Sequence, residues 1–97
     1  MNTVTDTEAL ILEQLADGTE KYGLQMIADS EGKLKQGTIY VLLSRLQAKG
    51  FVTSRTETRP EGQFGIPRRL YQITGAGGSV LRARAAYLAA LRGVVHV

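Results

Sequence analysis

A chain of 97 residues, 43% hydrophobic, 22% charged and without cysteine, has room for one small domain and can build neither a disulfide framework nor a thiolate metal site. Its net charge of +3 conceals a split: residues 1–31 hold seven acids against one base, while residues 32–97 hold eleven bases against two acids, a balance of +9. No apolar run approaches the roughly 18 residues of a membrane span, and Met1–Asp6 lacks the basic and apolar regions of a signal peptide, so a cytoplasmic protein is expected.

Thr5 or Asp6 can cap a first helix, with Glu8 in the turn where the helix dipole favours a negative charge. Leu10, Ile11, Leu12 and Leu15 supply its apolar content, and Gly18 ends it. A second, shorter helix is expected over Tyr22–Ser30, with Leu24, Ile27 and Ala28 as core candidates. After the turn Glu31-Gly32-Lys33, a third helix is predicted from Thr38, as N-cap, to Lys49, with Gly50 just past its C-cap. Ile39, Leu42, Leu43 and Leu46 share one face of that helix, and Tyr40, Val41, Ser44, Arg45 and Ala48 the other. A short helix buried on one side, with a polar, small and mildly basic face on the other, suits the major groove of DNA. Its pairing with the second helix makes a helix-turn-helix.

Beyond Gly50 the composition becomes β-branched, and residues 51–58 read as a strand. Pro60, Gly62, Gly65 and Pro67 mark a long loop, and Arg69–Thr74 the returning strand, so residues 51–74 form a hairpin bearing Arg55, Arg59, Arg68 and Arg69. Gly75-Ala76-Gly77-Gly78 echoes a nucleotide-binding loop, but Val80 and the short remaining chain fit a flexible turn better. From Ser79 to near Arg92 the chain is expected to be helical, with a broad apolar stripe of Val80, Leu81, Tyr87, Leu88, Leu91, Val94 and Val95. The fold class is therefore α+β, mainly α, in the order helix, helix, helix, strand, strand, helix. Residues 1–78 are expected to form the DNA-binding domain and residues 79–97 a dimerisation helix.

Tyr22-Gly23, Gly37-Thr38-Ile39-Tyr40, Leu46 with Gly50-Phe51-Val52, Pro67-Arg68-Arg69 and Tyr71-Gln72-Ile73-Thr74, in that order and spacing, resemble the PadR family of bacterial winged-helix transcriptional regulators over residues 8–81. The resemblance implies a winged helix-turn-helix of three helices with a β-hairpin wing. It also implies a dimer that binds near-palindromic operators and mostly represses, with a single helix after the wing. The chain departs from the family pattern at Lys35, Val41 and Ile66, changes that bear on the operator sequence rather than the fold.

For contact with double-stranded DNA the candidates are Lys35, Gln36, Thr38, Tyr40, Ser44 and Arg45 on the third helix, and Arg59, Arg68 and Arg69 on the wing. Gln36 and Arg45 are the best direct readers, since Gln pairs with adenine and Arg with guanine. The Thr38 and Tyr40 hydroxyls suit phosphates, and the wing arginines phosphates or the minor groove. The plainer alternatives are that Thr38 only caps, that Tyr40 braces the second helix and that the wing arginines are solvated. Leu10 joins Val80, Leu81, Tyr87, Leu88, Leu91, Val94 and Val95 as candidates for the homodimer contact, with Arg82, Arg84 and Arg92 on the solvated side of the last helix.

No enzyme is expected: His96, the only histidine, stands next to the C-terminus, and no carboxylate pair lies near a nucleophile. No cofactor, metal or membrane partner is expected, and a small-molecule effector stays unassigned, since the chain has no tryptophan of the kind some relatives use to bind flat aromatic drugs. The competing readings are a winged helix that docks an acidic protein and a ligand-controlled regulator with a pocket at the dimer interface.

Overall fold

The computed structural model describes residues 3–58, 62, 65 and 67–95, the last two without their side chains. Four helices and three strands follow in the order α1 (Asp6–Gln14), β1 (Lys21–Tyr22), α2 (Gly23–Asp29), α3 (Gln36–Ala48), β2 (Val52–Thr56), β3 (Arg69–Ile73) and α4 (Gly75–Val95).

α1 starts at a complete capping box. The Glu8 amide donates to Thr5 Oγ1 at 3.1 Å, and the Thr5 amide donates to Glu8 Oε1 at 2.8 Å. Its regular part ends at Gln14, before Gly18. α2 buries Gly23 and Met26, with Ile27 half-buried against the core. Leu24 and Ala28 are not core residues: both are exposed, Leu24 by 51%. They lie four apart on one row, and the row that faces α1 and α3 is the neighbouring one through Met26.

α3 buries Ile39, Leu42, Leu43 and Leu46, the face its spacing predicts. Its start is three residues earlier than expected, with Lys35 rather than Thr38 as the N-cap. The Thr38 and Ile39 amides both bond to the Lys35 carbonyl, at 3.2 and 3.0 Å, so Gly37 is absorbed into the first turn. Thr38 Oγ1 merely donates back to that same carbonyl at 3.4 Å. The far end is a Schellman motif: Phe51 N donates to Leu46 O, Gly50 N donates to Gln47 O, and Gly50 takes a left-handed φ of 80°.

The sheet has the order β1-β3-β2 and is antiparallel throughout. β2 and β3 are the expected hairpin, in the register Val52↔Ile73, Ser54↔Tyr71 and Thr56↔Arg69. β1 is an addition, since a strand of two residues leaves no pattern in a sequence; it pairs Lys21 with Tyr71 and Tyr22 with Leu70. Val52 and Tyr71 turn inward and join the core of α1, α2 and α3.

α4 begins at Gly75, so Gly75–Gly78 is a helical turn and not a loop. Thr74 secures it. The Thr74 hydroxyl donates to Gly50 O at 2.7 Å and accepts from Gly77 N at 3.0 Å, while the Thr74 amide donates to Phe51 O at 3.0 Å. Gly77 lies so close to the Phe51 carbonyl that a Cβ there would collide with it. α4 packs along α1 through Leu81 and Arg84 and its far end is exposed; the molecule is 63 Å long and 27 × 21 Å across. Among the described residues no helix is long and apolar enough to cross a membrane.

Candidate nucleic-acid interface

The packing of α3 decides which of its residues can meet a ligand. With Ile39, Leu42, Leu43 and Leu46 inward, successive residues at about 100° place Gly37, Val41, Ser44 and Ala48 on the outermost ridge. All four are exposed, as are Lys35, Gln36, Thr38, Tyr40 and Arg45 on its flanks and at its N-terminal end. α3 contains no acid. Among the described residues neither Lys35 nor Arg45 has an ion-pair partner, so both charges face solvent.

Tyr40 braces the second helix. Its ring rests on Gly23 at the start of α2, where a Cβ would approach it to 2.8 Å, yet 47% of the residue stays exposed. The brace holds the ring, and the exposed part remains free for contact.

The wing is tied to the body through Ser54 and Gln47, which the sequence alone did not single out. Ser54 Oγ donates to Gln47 Oε1 on α3 at 3.1 Å and accepts from Arg69 Nη1 at 3.1 Å, so Arg69, Ser54 and Gln47 connect β3, β2 and α3. Arg69 shares the face of β3 that carries Tyr71, the face toward α3. Finding this chain requires the β2–β3 register and the seat of α3 together, which no local pattern carries.

Arg68 is engaged within the protein. It donates twice to Glu57, at 3.3 and 3.0 Å, and its guanidinium lies 4.2 Å from the centre of the Tyr22 ring. The hydrogen bond with Glu57 raises the Arg68 pKa. Arg55, on the face of the hairpin opposite Arg69 and Tyr71, forms a two-pronged pair with Glu20 at 2.7 and 2.9 Å, which lowers the Glu20 pKa. The expected contact at Arg59 lies outside the described residues.

Residues expected at a subunit contact fall into two groups. Leu10, Val80 and Leu81 are half-buried against the domain's own core. Leu88 is half-buried, while Tyr87 and Leu91, further along α4, are exposed, Tyr87 by 63%. Val94 and Val95 lie within α4, their side chains outside the description. Of the arginines expected on the solvated side, Arg84 is paired with Asp6 of α1 and Arg82 donates to Ser79.

Solved structures match nearly the whole chain, among them the following. A PadR family transcription regulator from Clostridium difficile R20291 superposes with a TM-score of 0.78 at 23% identity, over 95% of this chain and 96% of its own. A PadR-like transcription factor from Bacteroides fragilis gives 0.77 at 25% identity, over 92% and 85%. A PadR family transcriptional regulator from Eggerthella lenta gives 0.74 at 28% identity, over 92% and 77%. No curated protein sequence matches. The family model described as the transcriptional regulator PadR-like family matches residues 11–83. With α3 presented beside a β-hairpin wing, and with this match spanning the helix-turn-helix, the wing and the start of α4, the chain belongs to the PadR-like family of transcriptional regulators.

Proposed function

We propose that the chain works as a homodimeric repressor that binds a near-palindromic operator. Its two α3 helices enter successive major grooves about 34 Å apart, and the wings reach the flanking backbone. The observation that carries this reading is the outer face of α3: it is exposed, free of acids, and flanked by Lys35 and Arg45 without ion-pair partners among the described residues. Lys35, Thr38 and Tyr40 hold phosphates beside the helix N-terminus, Arg45 and Gln36 reach base edges, and Ser44 lies on the ridge between them. Arg69 is the wing residue best placed to act with α3, through Ser54 and Gln47. Arg68 contributes less charge to DNA than its position in the sequence suggests, because Glu57 already neutralises it.

Dimerisation is supported by the apolar residues that α4 carries away from its own domain, Tyr87 and Leu91 first. A fluorescence-anisotropy titration of the full chain against the DNA upstream of its own gene tests the reading. Tight, salt-sensitive binding to one segment and weak binding to a scrambled duplex is the expected result. Equal, weak affinity for both would overturn sequence-specific regulation.

A further inference from the structure

The outermost ridge of α3 has an unusual chemistry for a surface meant to read hydrogen-bonding groups. Of Gly37, Val41, Ser44 and Ala48, only Ser44 can donate or accept with its side chain. Val41 stands near the middle of the ridge and is 52% exposed, although valine is among the residues most often buried. It adds nothing to the core, which Leu42 and Leu43 fill beside it. On the ridge itself Gly37 lies one turn before Val41, Ser44 one turn after and Ala48 two turns after, all too small to keep a surface from touching Val41, and a Cβ added at Gly37 would meet nothing within 4 Å.

A base edge in the major groove offers one apolar group, the C5-methyl of thymine. Valine in a helix is almost confined to a single χ1 rotamer, so its two methyls occupy fixed positions before any ligand arrives. Gln36 and Arg45 must instead immobilise long side chains to make their contacts. The charge around the ridge favours a polyanion over an apolar protein surface, because Arg45 lies one turn from Val41, Lys35 caps the helix, and α3 carries no acid.

We propose that Val41 selects operator DNA by packing against a thymine methyl in each half-site, with the small ridge of Gly37 and Ala48 allowing the approach. This rests on the DNA-binding reading above and adds the group that is read.

The test uses the full chain and duplexes enriched from a random pool. Each enriched thymine is then replaced by deoxyuridine, which removes only the methyl group. The expected result is one thymine position per half-site at which replacement weakens binding about fourfold, the value of one buried methyl-sized group. Val41→Ala removes the contact in both half-sites, so it should weaken binding to the thymine duplex by about the square of that factor, roughly sixteenfold, and be indifferent to deoxyuridine there. Because Val41 is exposed and alanine is the better helix former, the variant should fold with a melting temperature no lower than the parent's. If a sequence is enriched but deoxyuridine costs nothing at any position, the thymine proposal fails while DNA recognition stands. It fails as well if Val41→Ala remains as sensitive to deoxyuridine as the parent. If no sequence is enriched over the scrambled duplex, both proposals fall.

Discussion

Glu8 is a carboxylate with no solvent exposure, and its partners explain how it stays charged. Burial pushes its pKa up, but the Thr5 amide and the Lys49 ammonium, 3.1 Å away, pull harder, and the net direction is below the usual 4.5. A depressed folded-state pKa means that the stabilisation is complete above about pH 4.5 and is lost as pH falls through the lower folded value. Glu8→Gln keeps an acceptor for the Thr5 amide and removes the charge, so it should lower stability at pH 7 by about 1–3 kcal/mol. In urea melts the gap between variant and parent should be level from pH 7 to about 5.5 and close below about pH 4.5. A gap that widened in acid would assign the wrong sign to the carboxylate. The same pair also takes Lys49 out of the DNA-facing charge, which its place in the basic part of the chain conceals. Arg45 has no such partner among the described residues, and Arg45→Ala should cost about 1–3 kcal/mol in specific binding and relax the sequence preference. Unchanged operator affinity in anisotropy would mean that α3 presents another face.

At the scale of elements, what the sequence revealed followed the length and regularity of each pattern. The apolar row Ile39, Leu42, Leu43 and Leu46 spans two turns of α3 and could be read directly. The ends of elements could not. Gly37 and Thr38 look like a helix start because both are common caps, yet the bonds to the Lys35 carbonyl start the helix earlier. Gly75–Gly78 looks like a loop because three of its four residues are glycines, yet Thr74 caps it and Gly77 fits against Phe51, which makes it the first turn of α4. β1 exists only through its pairing with β3. The wing arginines were legible as a basic cluster, but their partners Glu57, Glu20 and Ser54 depend on register. The docking of α4 predicts a further effect. Gly77→Ala forces a methyl onto the Phe51 carbonyl and the Ile73 side chain, 2.9 Å away, and should destabilise by about 1–3 kcal/mol in thermal or urea melts. A neutral substitution would mean that α4 is not seated there.

For the whole molecule, the proposed tasks are separated in space: α3 and the wing form the surface proposed for DNA, and the exposed far part of α4, with Tyr87 and Leu91, the one proposed for a second subunit. Leu91→Asp places a charge on the exposed apolar row of α4 and should shift the protein from dimer to monomer in light scattering, with the fold unchanged by circular dichroism. Operator affinity should drop with it, because each half-site would then be bound singly. If the variant stays dimeric, the subunit contact lies elsewhere on the chain.

The bonds at Thr74 have a mechanical consequence. They fix the root of α4 to Gly50 and Phe51, just past the end of α3, so a tilt of α4 has its fulcrum beside the helix proposed to read DNA. Its 21 residues make an arm of about 31 Å, and a tilt of about 10° at the root swings the tip by about 5 Å. That exceeds the step between neighbouring base pairs, about 3.4 Å. In a dimer joined through this arm, a small rotation at Thr74 would retune the spacing between two readers by more than one base pair without altering either reading surface.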